Sequence, residues 1–461
     1  MGLDAAALAE LADGFRGELV GRDDPSYDEH RRIWNGSIDR HPALIARCAG
    51  AADVMAAVRF GRRTGLAVAV RSGGHSFPGM STCDDGLVID TSLMKGVRVD
   101  PETRRVRAQA GVLLGELDRE TQAFGLAVPA GIVTHTGIAG LTLGGGIGWL
   151  QRKYGLTIDQ LVSVDVVTAD GELVRASADE NADLFWGIRG AGGNFGVVTE
   201  FEYQGNPLGP MVHAGAIVWS TDDSPELLRF YRDWIEDVPD ELTTIVQHRL
   251  APPLPEIPGE FHYRPVVLIG ACYAGPVQDG EKVLAPLRAF KPAVADLCSA
   301  KPFVKHQAMF DPTFPHGRWY YFQSRDVDAL TDDVIDVVVD QALRITSPHS
   351  GIPIFQLGGA VARVGEDETA FGGRSAGHTI NINGVCDSPD DFGEQREWVK
   401  TTGDALEQYA AGVYVNFLMD EGEQRVREAY GPEKFDRLRA LKRTWDPDNF
   451  FRLNQNVPPA D

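Results

Sequence analysis

The sequence has 461 residues, 43% of them hydrophobic and 24% charged, a globular composition with enough chain for two or three domains. Its 66 acidic side chains outnumber the 44 basic ones, so the formal charge is −22 at pH 7. A chain this acidic, with no basic cluster larger than Arg104, Arg105 and Arg107, is repelled by nucleic acid and anionic membranes. We expect neither as a partner.

The five cysteines are scattered and odd in number, with no C-x-x-C spacing, which predicts free and mostly buried thiols in a reducing compartment. The first twenty residues are acidic and helical in pattern, without the basic start of a signal peptide. No apolar run approaches the roughly 18 residues of a membrane span. We therefore expect a cytoplasmic protein.

The first half of the chain alternates short strands and helices. The pattern predicts a helix over Asp53–Thr64, ended by Gly65, and then a buried strand in "LAVAVRSGG". The segments "GLVIDTSLMKGVRVD" and "RRVRAQAGV" alternate like strands of one small sheet, and "LLGELDRETQAFG" reads as an amphipathic helix. The Asp170-Gly171 pair predicts a β-hairpin in "LVSVDVVTADGELVRAS", and "FGVVTEFEYQ" predicts a further strand.

A Gly/Pro-rich stretch, "GNPLGP" at 205–210, is a candidate linker, and glycine-rich turns are fewer beyond it. Strands are predicted in "MVHAGAIVWS", "RPVVLIGACYAG" and "GRWYYFQSRDV", with helices in "SPELLRFYRDWIEDV" and "DDVIDVVVDQALRI". The C-terminal tail is helical in pattern up to Trp445, where Asp446-Pro447 ends it. Both halves together indicate an α+β protein.

Three glycine-rich stretches lie in the first half: "RSGGHS", "AGLTLGGGIGW" and "IRGAGGNFGVV". None fits the G-x-G-x-x-G spacing of a dinucleotide turn, and no phosphate loop of the G-x-x-x-x-G-K type is present. Each run by itself is explained by a tight turn. Together, beside strands, they favour exposed backbone N–H groups arranged around an anion such as a pyrophosphate.

Longer motifs resemble those of a known family. "RSGGHSFPG", "GLTLGGGIGWLQRKYGLTIDQL", "DLFWGIRGAGGNFGVVTEFEY", "YVNF" and "WDPDNFFRLNQNVPP" are similar to stretches of the berberine bridge enzyme-like flavoproteins, among them the 6-hydroxynicotine oxidases. The resemblance runs from about Ile38 to Pro459. It implies a two-subdomain FAD-binding domain of the vanillyl-alcohol oxidase type over 1–207 (core 38–207). It further implies a substrate domain over 208–412, with an antiparallel sheet covered by helices, and a C-terminal segment over 413–461 that returns to the FAD domain.

The resemblance gives His75 a specific role, because the histidine of the family's R-S-G-G-H motif is bonded to the 8α-methyl of FAD. The alternative is a turn histidine with no such bond. Further FAD contacts carried over from the motifs are Arg71, Ser72, Gly73, Gly74, Ser76, Gly137, Gly140, Gly145, Gly146, Gly148, Gly193, Asn194, Gly196, Val198, Asn454 and Gln455.

Many relatives have a second, cysteinyl bond to the flavin, but Val133 stands at the matching position here. We therefore expect covalent FAD with a single bond through His75 and no cysteinyl bond. The resemblance also places Thr136 where oxidases commonly have a small apolar residue beside the flavin that admits dioxygen. His135 either faces the flavin or satisfies a backbone carbonyl.

The catalytic base is the least defined part of the site. Relatives often carry Y-x-N-Y, whose second tyrosine is the base, whereas "YVNF" gives Tyr414, Asn416 and Phe417. Tyr414 is the first replacement candidate, although a phenol with a pKa of about 10 would need a lowered value to serve. Tyr320 and Tyr321 are rivals, and Gln356 is a candidate for hydrogen bonding only.

The expected function is an oxidase that transfers a hydride from a C–H next to an alcohol, sugar hydroxyl or amine to flavin N5, with dioxygen then reduced to hydrogen peroxide. The alternatives are a dehydrogenase with another electron acceptor, a flavin carrier without catalysis, and a zinc or iron enzyme using His75 and His135. No H-x-x-x-H or H-x-x-E-H spacing supports the last, so no metal is expected. The expected partners are a small-molecule substrate and dioxygen, with the chain a monomer or homodimer.

Overall fold

A computed structural model describes residues 5–461 of the chain. The strands are β1 Glu18–Gly21, β2 Leu44–Arg47, β3 Val68–Arg71, β4 Leu87–Asp90, β5 Val97–Asp100, β6 Arg105–Gln109, β7 Leu126–Ala127, β8 Leu161–Val167, β9 Leu173–Ser177, β10 Val197–Gln204, β11 Asn206–Pro207, β12 Met211–Ser220, β13 Leu242–Leu250, β14 Pro265–Tyr273, β15 Ala295–Asp296, β16 Ser299–Pro302, β17 Trp319–Val327, β18 Gly351–Gln356 and β19 His378–Cys386.

The α-helices are α1 Ala5–Ala12, α2 Tyr27–Arg31, α3 Ala51–Thr64, α4 Leu114–Gln122, α5 Ile138–Leu143, α6 Gln151–Tyr154, α7 Ala182–Ile188, α8 Ser224–Trp234, α9 Gly280–Ala289, α10 Phe303–Gln307, α11 Asp332–Ala342, α12 Ala360–Arg363, α13 Phe392–Leu406, α14 Glu423–Tyr430 and α15 Pro432–Trp445. Within the described part of the chain, no helix is both long enough and apolar enough to span a bilayer.

The N-terminal half holds two main sheets. The first has the strand order β1-β2-β4-β3, with parallel pairing of β4 to β2 and β3, and α3 packs on it. The second has the order β5-β6-β10-β8-β9 and is antiparallel. The predicted hairpin is confirmed as β8 and β9, and the predicted helix over Asp53–Thr64 is confirmed as α3.

The second half is built on one large antiparallel sheet, ordered β15-β12-β14-β13-β18-β19-β17, with β16 added beside β12. Side chains alternate along its strands, as the pleat requires. On β18 and β19, Ile354, Ile380 and Ile382 face a core shared with α8, α11 and α13. Their neighbours point to the opposite face, where the site described below lies.

The C-terminal tail returns to the N-terminal half and is fixed there by a buried ion pair. Lys442 Nζ lies 2.8 Å from Asp446 Oδ2 and donates to the carbonyls of Asn194 and Phe451 at 2.6 and 2.8 Å. Asp446 in turn accepts the backbone N–H groups of Phe450 and Phe451. This ion pair and its hydrogen bonds attach the "WDPDNFF" turn to the glycine-rich stretch around Asn194.

Three sequence expectations need correction. "GLVIDTSLMKGVRVD" supplies strands to two different sheets, because β4 pairs with β2 and β3 while β5 pairs with β6. The tail forms two helices, α14 and α15, because Gly431 between them has φ +76°. The candidate linker contains a strand, β11, that pairs with β7.

Candidate active site

A cavity of about 340 Å³ lies between the glycine-rich segments of the N-terminal half and the face of the large sheet that the helices leave uncovered. Its walls come from the "RSGGHSFPG" turn, the segment 131–147, the loop 191–193, strands β13, β17, β18 and β19, and the C-terminal tail. Such an enclosed cleft between two layers of a protein is a usual location for a cofactor and its substrate.

Glycines bring two of these walls into backbone contact. A Cβ on Gly73 would collide with the backbone of Gly137, and one on Gly137 would collide with Gly73 and the Ser72 side chain. Gly74 has φ +70°, which an L side chain rarely adopts. The "RSGGHS" turn therefore needs its glycines to lie directly against the segment that carries Val133, His135 and Thr136.

Other parts of the lining are open toward the cavity. A Cβ on Gly140 or Gly193 would meet no atom within 4 Å, so their backbones are bare faces of the wall. Asn454 donates its amide to the Gly193 and Phe451 carbonyls, but its Oδ1 is buried without a partner. Bare glycine backbone and an unpaired amide oxygen fit a large polar cofactor such as FAD.

His75 lies half-buried in this wall. Its ring stacks on Trp34 with centroids 4.8 Å apart, and its Nε2 is 2.8 Å from His135 Nδ1. Thr136 Oγ1 is 3.5 Å from the other nitrogen, Nδ1. Burial, reinforced by the nearby His135 and His316, holds the pKa of His75 well below 6.5. The imidazole is therefore neutral near pH 7 and keeps a nucleophilic lone pair.

Three histidines meet at this point. One ring nitrogen from each of His75, His135 and His316 lies within 4.8 Å of the other two, so the cluster could hold a metal ion where His75 is not otherwise bonded. The sequence analysis paired His75 with His135 but missed His316, because the three come from distant segments and short spacing rules find only ligands on one element.

The expected FAD contacts fall into two groups. Those that line the cavity are Ser72, Gly73, Gly74, His75, Ser76, Val133, Thr136, Gly137, Gly140, Gly193, Asn454 and Gln455. Those outside its lining are Arg71, His135, Gly145, Gly146, Gly148, Asn194, Gly196 and Val198.

Several residues of the second group have structural partners within the protein. Arg71 forms a buried ion pair with Asp90, 2.6 Å apart, and donates to the His30 carbonyl. A Cβ on Gly146, Gly148 or Gly196 would strike Thr157, Ala130 or Val167, so close packing explains these glycines. Asn194 binds the backbone of the C-terminal tail through Gln455 and Val457.

Of the candidate catalytic residues, Tyr414 and Asn416 line the cavity. The Tyr414 hydroxyl accepts hydrogen bonds from the Gly146 N–H at 3.0 Å and from Asn416 Nδ2 at 2.9 Å. Burial raises the pKa of Tyr414 to about 12, so its hydroxyl keeps its proton at neutral pH. Burial thus disfavours the phenolate that a tyrosine base would form, whereas the two hydrogen bonds that the hydroxyl accepts favour it.

The other candidates lie outside the cavity lining. Tyr321 points to the helix-covered face of the sheet, where Arg396 lies 5.2 Å from its ring, because alternate residues of β17 face opposite sides. Gln356 is buried, and its Oε1 accepts the hydroxyl of Thr244 at 2.7 Å. Tyr320 donates its hydroxyl to the Pro315 carbonyl and stacks on Trp34.

All five cysteines of the chain are buried and unpaired, and none is among the residues that line this cavity. Cys83, the nearest to His75 in sequence, bonds weakly to the carbonyls of Ala67 and Leu87, and burial raises its pKa to about 11. The position of the missing cysteine, Val133, does line the cavity.

The sequence analysis missed the wall opposite the glycine-rich segments. This wall carries three amide side chains, Gln247, Asn381 and Asn383, among the rings of Phe322, Phe355 and Phe417. The period-2 alternation of these strands was a usable signal, since polar residues recur at 381 and 383 between the isoleucines.

Comparison with known proteins agrees with this geometry. Residues 42–177 match the FAD binding domain family, and residues 413–458 match the family described as berberine and berberine like. An FAD-linked oxidoreductase of Dictyostelium discoideum is 33% identical over 98% of this chain and 96% of its own length. The (R)-6-hydroxynicotine oxidase of Paenarthrobacter nicotinovorans is 31% identical, over 96% of this chain and 97% of its own.

The crystal structure of 6-hydroxy-D-nicotine oxidase from Arthrobacter nicotinovorans superposes with a TM-score of 0.86 at 29% identity, covering 97% of this chain and 98% of that one. This similarity confirms the predicted α+β fold, with an FAD-binding domain of the vanillyl-alcohol oxidase type and a helix-covered antiparallel sheet. The chain is an enzyme that uses FAD, and it belongs to the berberine bridge enzyme-like FAD-linked oxidoreductases.

Proposed function

We propose that this enzyme is an oxidase whose FAD is bonded to His75 alone. The observation that carries the proposal is the position of His75: a neutral imidazole in the cavity wall, held by Trp34 and His135, on a turn whose glycines allow close backbone approach. The absence of a cysteine from the lining formed by residues 5–461 supports a single bond.

The residues divide the work between the two sides of the cavity. The glycine turns and Asn454 would hold the cofactor, with Ser72, Ser76 and Gln455 beside them. The sheet face with Gln247, Asn381 and Asn383 would orient the substrate. Bound FAD supplies the redox chemistry, accepting a hydride at N5 from a C–H next to a hydroxyl or amine and passing the electrons to dioxygen as hydrogen peroxide.

Thr136 leaves room for dioxygen as the acceptor, since it lines the cavity beside His75 and its side chain is no larger than that of valine. The competing proposal, a dehydrogenase with another acceptor, is separated by one experiment. After anaerobic reduction with substrate, an oxidase is reoxidised by air within seconds with stoichiometric peroxide, whereas a dehydrogenase stays reduced until a quinone is added.

Four further assignments, on domain limits, location, oligomeric state and substrate size, are part of the proposal. We set the domain limits at 208 and 413, where the large sheet begins and where the tail returns to the FAD domain. The protein acts in the cytoplasm, as a monomer or homodimer, on a small molecule.

The test of the cofactor assignment uses the purified protein and its H75A variant. After acid precipitation, the wild-type pellet is expected to stay yellow and fluorescent, and the variant pellet colourless. A wild-type protein that releases all its flavin into acid would contradict the covalent bond. Because Arg71 lies on the same turn, a matched R71K variant should keep the bonded flavin.

A further inference from the structure

The cavity that faces His75 has no full charge in its wall. Among residues 5–461, no aspartate, glutamate, lysine or arginine lines it. On the side of the glycine turns, backbone N–H groups can bind the pyrophosphate of FAD. The sheet side has no such turn, and removing an ammonium or carboxylate group from water without an opposite charge is costly. The sheet side of the cavity therefore selects against an ionised substrate.

The polar groups that do line the sheet side are neutral amides. Gln247 Oε1, Asn381 Oδ1 and Asn383 Oδ1 are each buried with no hydrogen-bond partner within the described protein. Buried amides are normally satisfied, and unpaired ones in a cavity wall are explained by a ligand. An amide oxygen accepts a hydrogen bond, so its partner carries an O–H or N–H group.

These amides occupy one face of the large sheet. Gln247 lies opposite Pro353 across β13 and β18, and Asn383 lies opposite Phe322 across β19 and β17. Pro353 has no N–H to offer a ligand. Within the part of this face that lines the cavity, the amides form a small polar area among apolar side chains.

Aromatic rings surround that polar area. Phe77 lies 4.5 Å from Phe322 and 5.9 Å from Phe417, and Phe417 lies 5.5 Å from Phe355, measured between ring centroids. The Phe77 and Phe417 rings are nearly parallel, at 11°. This continuous apolar wall fits a flat hydrocarbon body better than a molecule with hydroxyls on every edge.

We propose that the substrate is an uncharged molecule with an aromatic or similarly flat apolar body and a hydroxyl or N–H group that binds Gln247, Asn381 and Asn383. The proposal rests on the proposed function, since it takes this cavity as the substrate side of the flavin site. Of the three expected substrate classes, alcohols, sugars and amines, it favours alcohols. The wall disfavours an oligosaccharide, whose many hydroxyls would lack partners, and a protonated amine, which would lack a counter-ion.

The test is a matched ligand series measured on the flavin-containing protein at pH 7. Benzyl alcohol, benzylamine and benzoate share one ring but are neutral, cationic and anionic, and cellobiose represents neutral sugars. Binding is read from the shift in flavin absorbance and, independently of flavin, from thermal stabilisation. Benzyl alcohol is expected to bind at least about tenfold more tightly than the other three.

Substitutions of the three cavity amides test whether benzyl alcohol binds at them. N381L, N383L and Q247M, each close in volume to the original residue, should weaken benzyl alcohol binding about three- to tenfold, the usual worth of one hydrogen bond. Q341M serves as the control, because Gln341 is a buried amide on α11, behind the opposite face of the sheet.

Two results would overturn the proposal: tighter binding of benzylamine, benzoate or cellobiose, or unchanged alcohol binding in all three cavity variants. Failure of the proposed function is distinguished from these, because it shows as missing bonded flavin in acid-precipitated protein before any ligand is added, while thermal stabilisation still reports binding.

Discussion

His75 Nε2 and His135 Nδ1 lie 2.8 Å apart, within hydrogen-bonding distance. Burial lowers the pKa of both imidazoles, so one ring donates and the other accepts near pH 7. When His75 donates from Nε2, its Nδ1 carries the free lone pair. This tautomer requires His135 as the acceptor, which makes His135 a positioning residue for bond formation to the cofactor.

We therefore predict that H135L slows covalent attachment of FAD by about tenfold or more. This factor corresponds to the loss of one hydrogen bond between uncharged groups, about 1.5 kcal/mol. H135N, whose amide oxygen can replace Nδ1 as acceptor, should restore most of the rate. The measurement is the time course of acid-stable flavin after FAD is added to flavin-free protein. H316Q is the control, since the centroid of the His316 ring lies 5.6 Å from that of His75. Equal attachment rates in H135L and wild type would refute the role of His135 as a positioning residue.

Lys442 and Asp446 form an ion pair with both side chains fully buried. K442M leaves an uncompensated carboxylate in the interior, so we predict a loss of about 3–5 kcal/mol in the free energy of unfolding. Urea denaturation gives this value directly. R62M breaks the exposed Arg62–Asp448 pair of the same tail and should cost less than about 1 kcal/mol. Similar losses in both variants would show that burial of the pair is unimportant.

Asp118 on α4 is buried, and both its carboxylate oxygens lack a partner among the described residues. Burial raises its pKa from 3.8 to about 8. Between these values the folded chain binds the proton that the unfolded chain has released. The contribution of Asp118 to stability is therefore full below pH 4 and is lost as pH rises toward 8.

D118N removes this titration. We predict that the free energy of unfolding of D118N, relative to wild type, rises from pH 5 to pH 8 by up to about 1.4 kcal/mol per pH unit. E120Q, an exposed change of the same charge on α4, is the control. A constant difference between D118N and wild type across this range would mean that Asp118 is ionised in the folded protein.

The Y414F variant tests whether Tyr414 is the catalytic base. The variant leaves the buried Gly146 N–H without its acceptor, so we expect a stability loss of about 1–3 kcal/mol and a fall in kcat of less than about tenfold. Loss of a catalytic base would instead lower kcat by about 10²–10⁴. The rate of anaerobic flavin reduction by the best alcohol substrate separates these outcomes, and a fall beyond about 100-fold without loss of stability would restore Tyr414 as the base.

The sequence predicted the parts of this protein that depend on local pattern. The helix over Asp53–Thr64, the Asp170-Gly171 hairpin and the glycine turn at His75 follow from periodicity and glycine conformational freedom. The residues that the sequence could not place depend on long-range contact. The His75–His135–His316 cluster joins three segments, and the pKa of Tyr414 is raised by burial that its own motif does not show. The direction of Tyr321 depended on which face of β17 met the cavity, a choice made by the whole sheet.

The central claim is a single bond between His75 and FAD, and mass spectrometry of tryptic peptides tests it most directly. Cleavage after Arg71 and Lys95 releases one peptide that contains both His75 and Cys83, so the flavin-bearing peptide must also be fragmented. We predict one flavin per chain, with all of its mass on fragments that contain His75. Flavin mass on a Cys83 fragment, or on any other peptide, would contradict the claim.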